Sequence, residues 1–429
     1  MPTSRRLLLV AYHFPPIQGS TGVTRTLAFA KYLRDYGWEV AVLTVHPRAY
    51  TEIRADNLQT VPPHVRVERA WALDAQRHLS IRGRYAQFLA LPDRWQSWIP
   101  GGVARGLQVV RRWRPSVMMS TYPIASAHCI GWALNKLCRI PWVVDFRDPM
   151  AQDDYPPDPR VHRWFERIER GIFGNAARVV VTARGTQDLY MQRFPEYPRE
   201  HVALIPNGFD PEMFPERPAA VTHAPEPHRP LRILHSGLLY PSERNPQHLF
   251  AALAELKNEG RLGAHSVNFG FRASGNESEY QPQLQRLGLS DIVQLLPPIP
   301  YQEALREMMA VDGLMLLQAS NCNQQIPAKL YEYLYASRPI LGLTDPRGDT
   351  GALLHDLGIT NVAPLDDTPA IKVSVLRFLE QIRAVRAPIP TPDVVMKFSR
   401  RDLTGLLANV LEGVVADAQR VEQRQPAEG

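Results

Sequence analysis

Three short runs near the N-terminus decide the fold: Arg6–Phe14, RLLLVAYHF; Gly22–Gly37, GVTRTLAFAKYLRDYG; and Trp38–Val45, WEVAVLTV. The first and third are nearly continuous apolar runs and read as strands buried on both faces. The middle run sets Leu27, Ala30 and Leu33 at helical spacing and ends at Gly37, which reads as a helix with its C-terminal stop. Strand, helix, strand in this order implies two parallel strands joined by a crossover helix.

The same alternation continues outward. SVMMST (116–121) precedes ASAHCIGWALNKLC (125–138), PWVVDF (141–146) precedes RWFERIERGIFG (163–174), and RVVVTA (178–183) precedes GTQDLYMQRF (185–194). It stops in the proline-rich stretch from Leu204 to Pro230 and restarts at LRILHSG (231–237), followed by PQHLFAALAELKNEG (246–260). SVNFGF, IVQLLPP, DGLMLLQ and RPILGLT read as further strands, and YQEALREMMA and AKLYEYLYAS as helices. The expected architecture is α/β, with two Rossmann-like, doubly wound parallel-sheet domains facing each other across a cleft. The expected boundaries are 1–210, a linker 211–230, and 231–390. A helix at 391–418 is free to fold back on either domain, and a disordered tail follows at 419–429. Ligands of such folds bind at the carboxyl ends of the strands.

At 429 residues the chain exceeds one ordinary core. A net charge of +6 points to anionic partners such as phosphates or acidic membrane. Three cysteines without metal-ligand spacing read as thiols of a reducing compartment. The opening MPTSRRLLLVAYHFPP imitates a secretion signal, but its apolar run is short and meets HFPP without a cleavage site, so it reads as a first strand. The expected location is cytoplasmic. Trp95, Trp98 and Trp113 lie among arginines. With Val103, Leu107 and Val110 opposite Arg105, Gln108 and Arg112, they leave open either a helix packed on its sheet or a peripheral contact with the inner face of a membrane. No nucleic-acid module is legible, and no metal site is expected.

The chemistry-bearing residues gather after strands. Lys329, one of only six lysines, follows Pro327 in the first turn of a helix, where the dipole disfavours a cation. Pro327 is expected at the first helical position. Lys329 shares a face with Glu332, so a surface ion pair between them is the alternative to a bound anion. Arg244 likewise precedes a helix, in the loop that begins at Gly237. Two cations placed at helix starts after strands of one sheet suit a bound anion. Both are expected to face solvent. The segment Gly19-Ser20-Thr21-Gly22 lets backbone approach a ligand closely, or is a plain turn. It is not a dinucleotide fingerprint. His128, near the start of its helix, is either structural or a proton donor. Asp145, Arg147 and Asp148 end a strand, and His13 and Asn207 complete the polar residues expected near the cleft.

Taken in order, YHFPPIQGSTGVTRTLAFAKYL, PWVVDFRDP, IPNGFDPE, HSGLLYPSERNP and IPAKLYEYLYASRPILG resemble the GT-B glycosyltransferases of the large retaining family four, over nearly the whole chain. The resemblance implies a nucleotide-sugar donor, commonly a UDP-sugar, used as co-substrate with no cofactor and no metal. The acceptor would be a glycan or a lipid-linked glycan. Arg244 and Lys329 would hold the diphosphate and Glu332 the ribose. The loop Gly19–Gly22, Gly237 and Leu330 would line the donor. His128 loosely matches a histidine of the sugar pocket. Many members carry an acid where this chain has Gln324, and a glutamine keeps an acceptor oxygen without the charge. A same-fold nucleotide-sugar epimerase and a non-catalytic partner in polysaccharide assembly are the competing readings.

Overall fold

A computed structural model describes residues 5–17, 21–80, 82, 84–153, 155–216, 224–226 and 228–424. Gly19, Ser20, much of the expected linker and the last five residues lie outside the described residues.

The chain divides into two units, one of Met1–Pro206 with Arg400–Gly429 and one of Asn207–Ser399. The first holds a seven-stranded sheet in the order β3-β2-β1-β4-β5-β6-β7. Its strands are β1 Arg6–Val10, β2 Glu39–Val45, β3 Arg66–Ala70, β4 Val117–Thr121, β5 Trp142–Phe146, β6 Arg178–Val181 and β7 Val202–Leu204. All pair in parallel. Alternation along β1 sends Leu8 and Val10 into one core and Leu7 and Leu9 into the other. That is why the run is apolar at every position.

The helix Thr21–Tyr32 tightens into a 3-10 turn, Leu33–Tyr36, closed by Gly37 in the left-handed region. The final helix, Arg400–Arg424, runs beyond the 418 expected from the sequence and buries Leu403, Leu407 and Leu411 with Phe29 and Leu33 of the first unit. The helix Trp98–Trp113 buries Trp98, Gly102, Gly106 and Val109. The two glycines receive Ile130 and Leu134 of the helix Ala125–Cys138. Val103, Leu107 and Val110 pack against the same core, so this helix spends its apolar face inside the unit.

The second unit repeats the plan with six parallel strands in the order β10-β9-β8-β11-β12-β13. They are β8 Leu231–Ser236, β9 Val267–Arg272, β10 Val293–Leu296, β11 Gly313–Leu317, β12 Ile340–Leu343 and β13 Val362–Ala363. In both sheets strand order reverses beside the first strand, between β1 and β4 and between β8 and β11. Such a switch point opens a crevice at the carboxyl ends of the strands. Among the described residues no helix is long and apolar enough to cross a membrane.

Candidate functional site

At the switch point of the second unit, β8 runs out at Ser236 and Gly237 turns with φ +112°. A side chain there would be strained, and its Cβ would lie 2.9 Å from the Lys329 Nζ. The loop that follows is tied down. The Ala319 amide donates to the Glu243 carbonyl at 2.7 Å, and the Asn321 side chain donates to the Ser242 carbonyl at 3.1 Å. This holds Arg244, half-buried, 5.1 Å over the Tyr240 ring. Asn245, one residue before the Pro246 cap of the helix Gln247–Asn258, accepts from the Gln247 amide at 3.1 Å.

Lys329 is the second residue of the helix Ala328–Tyr335. Pro327 has ψ 129° and caps the helix instead of opening it, so the helix starts one residue later than expected. Nor does Lys329 face solvent freely. Burial, then the charge of Arg244, pushes its amine down to about 7, with Glu332 pulling the other way. Its Nζ lies 3.1 Å from His235 Nε2. His235 is wholly buried, and its Nδ1 lies 2.9 Å from the Met315 carbonyl. Tyr333 accepts from the Ser236 amide at 2.9 Å and locks this helix to the end of β8. Glu332 accepts from the Tyr301 hydroxyl at 2.6 Å.

One expected donor contact sits differently. The Leu330 side chain is fully buried in the apolar core with Leu316 and Leu334. An apolar residue beside Lys329 on a short amphipathic helix points inward, so only its backbone could meet a ligand. Gln324 is exposed. Asn207 is buried at the start of the unit, with its Oδ1 lacking a hydrogen-bond partner among the described residues.

In the first unit, Gly22 brings two expected residues together. A Cβ there would meet His13 Nδ1 at 2.6 Å and Arg147 Nη1 at 2.8 Å. Burial, then Arg147, lowers His13 to about 4, so it is neutral near pH 7. Asp148 lends its charge to Arg147. Asp145 does not face a crevice. It is wholly buried against Arg25 and the Thr121 hydroxyl, which donates at 2.7 Å. His128 is also a core residue. Ser120 accepts from the Trp142 indole at 2.9 Å, which leaves its hydroxyl hydrogen for His128 Nδ1 at 2.8 Å. The ring packs between Tyr122 and Phe146. Burial drives it to about 3 despite the charge of Asp145. With no exposed surface and no proton to spare near pH 7, it does not suit the donor role expected of it.

Residues 20–208 match the family described as glycosyl transferase 4-like domain. Sucrose-phosphate synthase from Thermosynechococcus elongatus aligns with a TM-score of 0.62 at 15% identity, over 98% of each chain. HepE of Anabaena, solved with UDP and glucose, gives 0.63 at 16%, over 95% of this chain and 99% of its own. The chain has the GT-B fold, and its residues 20–208 resemble the glycosyl transferase 4-like domain. UDP-GlcNAc 2-epimerase from Neisseria meningitidis also aligns, at 0.52 and 12% identity over 95% of this chain and 100% of its own, so the fold by itself does not fix the reaction. No curated protein matches the sequence significantly.

Two residues of this GT-B protein escaped the sequence reading. Arg25 falls at helical spacing from Gly22 and Phe29, all three on the buried side of their helix, and a charge on that stripe was the available signal. His235 stands at the end of β8, immediately before the loop that carries Gly237. A histidine following Ile233 and Leu234 just before a glycine turn was the available signal there.

Proposed function

We propose that the chain transfers a sugar from a nucleoside diphosphate sugar, of the UDP class, to a glycan or lipid-linked glycan acceptor, with retention at the anomeric carbon. The observation that carries this reading is the meeting of Lys329 and Arg244 at Gly237. Burial and then Arg244 depress the Lys329 amine, a cost that a bound diphosphate would offset. The two cations would stabilise the leaving diphosphate as its charge develops, which needs no metal. The bond from C1 to the diphosphate oxygen breaks while the acceptor oxygen bonds C1 on the same face. The acceptor's proton passes to a donor phosphate oxygen. Glu332, one helical turn from Lys329, would accept from the ribose hydroxyls in exchange for Tyr301.

The proposed setting is polysaccharide or glycolipid assembly at the cytoplasmic face of a membrane. The face we assign to a peripheral contact carries Phe88 and Trp164. Arg160 donates to the Gln87 side chain at 2.5 Å. That bond sets the exposed Phe88 beside the helix Pro159–Phe173, whose exposed residues include Arg163, Trp164 and Arg167. Aromatic rings among arginines suit an anionic lipid interface.

Thermal stability against a panel of nucleoside diphosphates and nucleotide sugars tests the donor assignment. Ligand at 100 times its dissociation constant adds about 2.7 kcal/mol. A shift selective for one nucleotide and lost in Lys329→Ala and Arg244→Ala supports the reading. Equal shifts in those variants would refute it.

A further inference from the structure

Lys329 has no carboxylate within ion-pair distance among the described residues. Its one close polar partner among them is an imidazole, with His235 Nε2 3.1 Å from Nζ. The surroundings fix which way that imidazole works. A carbonyl can only accept, so the 2.9 Å contact with Met315 makes Nδ1 the protonated nitrogen. In a neutral ring Nε2 is then a bare lone pair, and the amine must donate to it. Burial, then the charge of Lys329, holds His235 well below the usual histidine range and so keeps the ring neutral.

The ring cannot swing away. It is wholly buried, it lies 6.0 Å from the Phe271 ring on β9, and the Tyr333 hydroxyl clamps the next residue, Ser236. The charged groups bearing on this pair are Arg244 from the loop after β8 and Glu332 from the helix Ala328–Tyr335.

We propose that His235 is the positioning residue of the anion site, its Nε2 lone pair fixing one Nζ hydrogen of Lys329 beside Gly237 so that the other two face the diphosphate. This rests on the nucleoside diphosphate reading of the second unit. A flexible lysine would otherwise lose rotamer freedom each time a ligand bound, and a fixed partner meets that cost in advance. Because the partner is neutral, it orients the amine without competing for the anion.

Two substitutions separate this role from simple packing. Asparagine reproduces Nδ1 and its bond to Met315 but puts no atom at Nε2. Glutamine puts an acceptor oxygen near Nε2. Calorimetric titration with UDP, across pH 6 to 9, reads both. His235→Asn weakens binding about tenfold, the scale of one hydrogen bond to a charged group. The pH midpoint of its binding falls, because the ammonium has lost an acceptor. His235→Gln stays within about threefold of the wild type. Asn and Gln impaired alike, or neither impaired, would overturn the proposal while leaving the nucleotide reading intact.

Nitrogen NMR of the histidine-labelled wild-type protein gives a readout that needs neither ligand nor variant. An Nδ1-protonated, Nε2-bare ring at pH 7 supports the assignment, and the opposite tautomer or a doubly protonated ring removes it. If UDP and the other nucleotides fail to bind the wild type, the donor reading falls and the tautomer still decides the contact to Lys329.

Discussion

The Arg25 guanidinium holds the Asp145 carboxylate through two hydrogen bonds, 3.2 and 2.8 Å long, with both side chains almost wholly buried. Arg25 also donates to the carbonyls of Pro206 and Ile205, at 2.8 and 3.1 Å. One side chain therefore ties the first helix to β5 and to the last residues before the second unit begins. Burial pushes Asp145 up, but the charge and hydrogen bonds of Arg25, aided by Thr121, outweigh it and hold the carboxyl below its usual value. The unfolded chain thus binds the proton more readily. The pair's contribution is present above the ordinary carboxylate range and is lost as pH falls through the folded value.

Removing one partner strands the other in the core. Arg25→Met or Asp145→Asn should each destabilise the first unit by about 3–5 kcal/mol, and the double variant Arg25→Met/Asp145→Leu should recover much of that. All eight tryptophans lie between Trp38 and Trp164, so fluorescence-monitored urea unfolding reports this unit by itself. Single variants as stable as the wild type would show that the buried pair contributes nothing.

Lys329 gives the second unit a pH dependence of the same sign in a higher window, as a penalty that lifts rather than a contribution that is lost. Its amine falls from the ordinary lysine value of 10.5 to about 7 in the folded protein. Between those values the unfolded chain holds a proton that the folded chain has released. The penalty is complete below about pH 7 and is relieved as pH rises toward 10.5. Calorimetric unfolding without ligand should therefore show the second unit gaining stability from pH 7 to 9. Lys329→Met should be flatter over that window and more stable than the wild type at pH 7. A diphosphate restores the ammonium, so binding at pH 8 should take up a proton, measurable as a dependence of the titration heat on the buffer's ionisation enthalpy. No proton uptake would contradict the shift.

What could be read in advance was local. The run Leu7–Val10 is apolar throughout because neighbouring strands and two cores cover both faces, and that signal survives in one dimension. The edge strand β3, RVERA, alternates with charge and gave no such signal, and β13 has only two residues. Lys329 was legible as a cation set against a helix dipole. Its burial was not, because Gly237 and His235 come from β8 and the loop after it. Arg25 and Asp145 are 120 positions apart, and nothing near Asp145 announces that an arginine will cover it. His128 and Leu330 follow strands as ligand-binding residues do, and only packing from other elements shows that they point inward.

The membrane face is tested by charge and apolarity separately. Phe88→Ser/Trp164→Ser should release the protein from vesicles rich in anionic lipid in a sedimentation assay, with nucleotide binding unchanged. Raising salt should weaken the wild type's binding, since arginines at a surface are screened within about 8 Å at physiological ionic strength. Vesicle binding that survives both substitutions would move the contact elsewhere.

Gly237 concentrates the constraints on the donor site into one atom's worth of space. Its φ of +112° lies where side chains are strained, at a cost on the order of 1–3 kcal/mol. The Cβ of Gly237→Ala would also sit 2.9 Å from the Lys329 amine, closer than carbon and nitrogen pack. The lysine stem is flexible and would yield, breaking its contact with His235. Gly237→Ala should therefore lower the stability of the second unit and weaken UDP binding beyond what the fold loss explains, with the deficit persisting at temperatures well below unfolding. A small residue that merely eased a turn would behave otherwise: the variant would lose stability and bind UDP normally in the cold. Titration of the variant at low temperature beside Lys329→Ala distinguishes the two. If Gly237→Ala/Lys329→Ala binds no more weakly than Lys329→Ala, the glycine acts through the lysine.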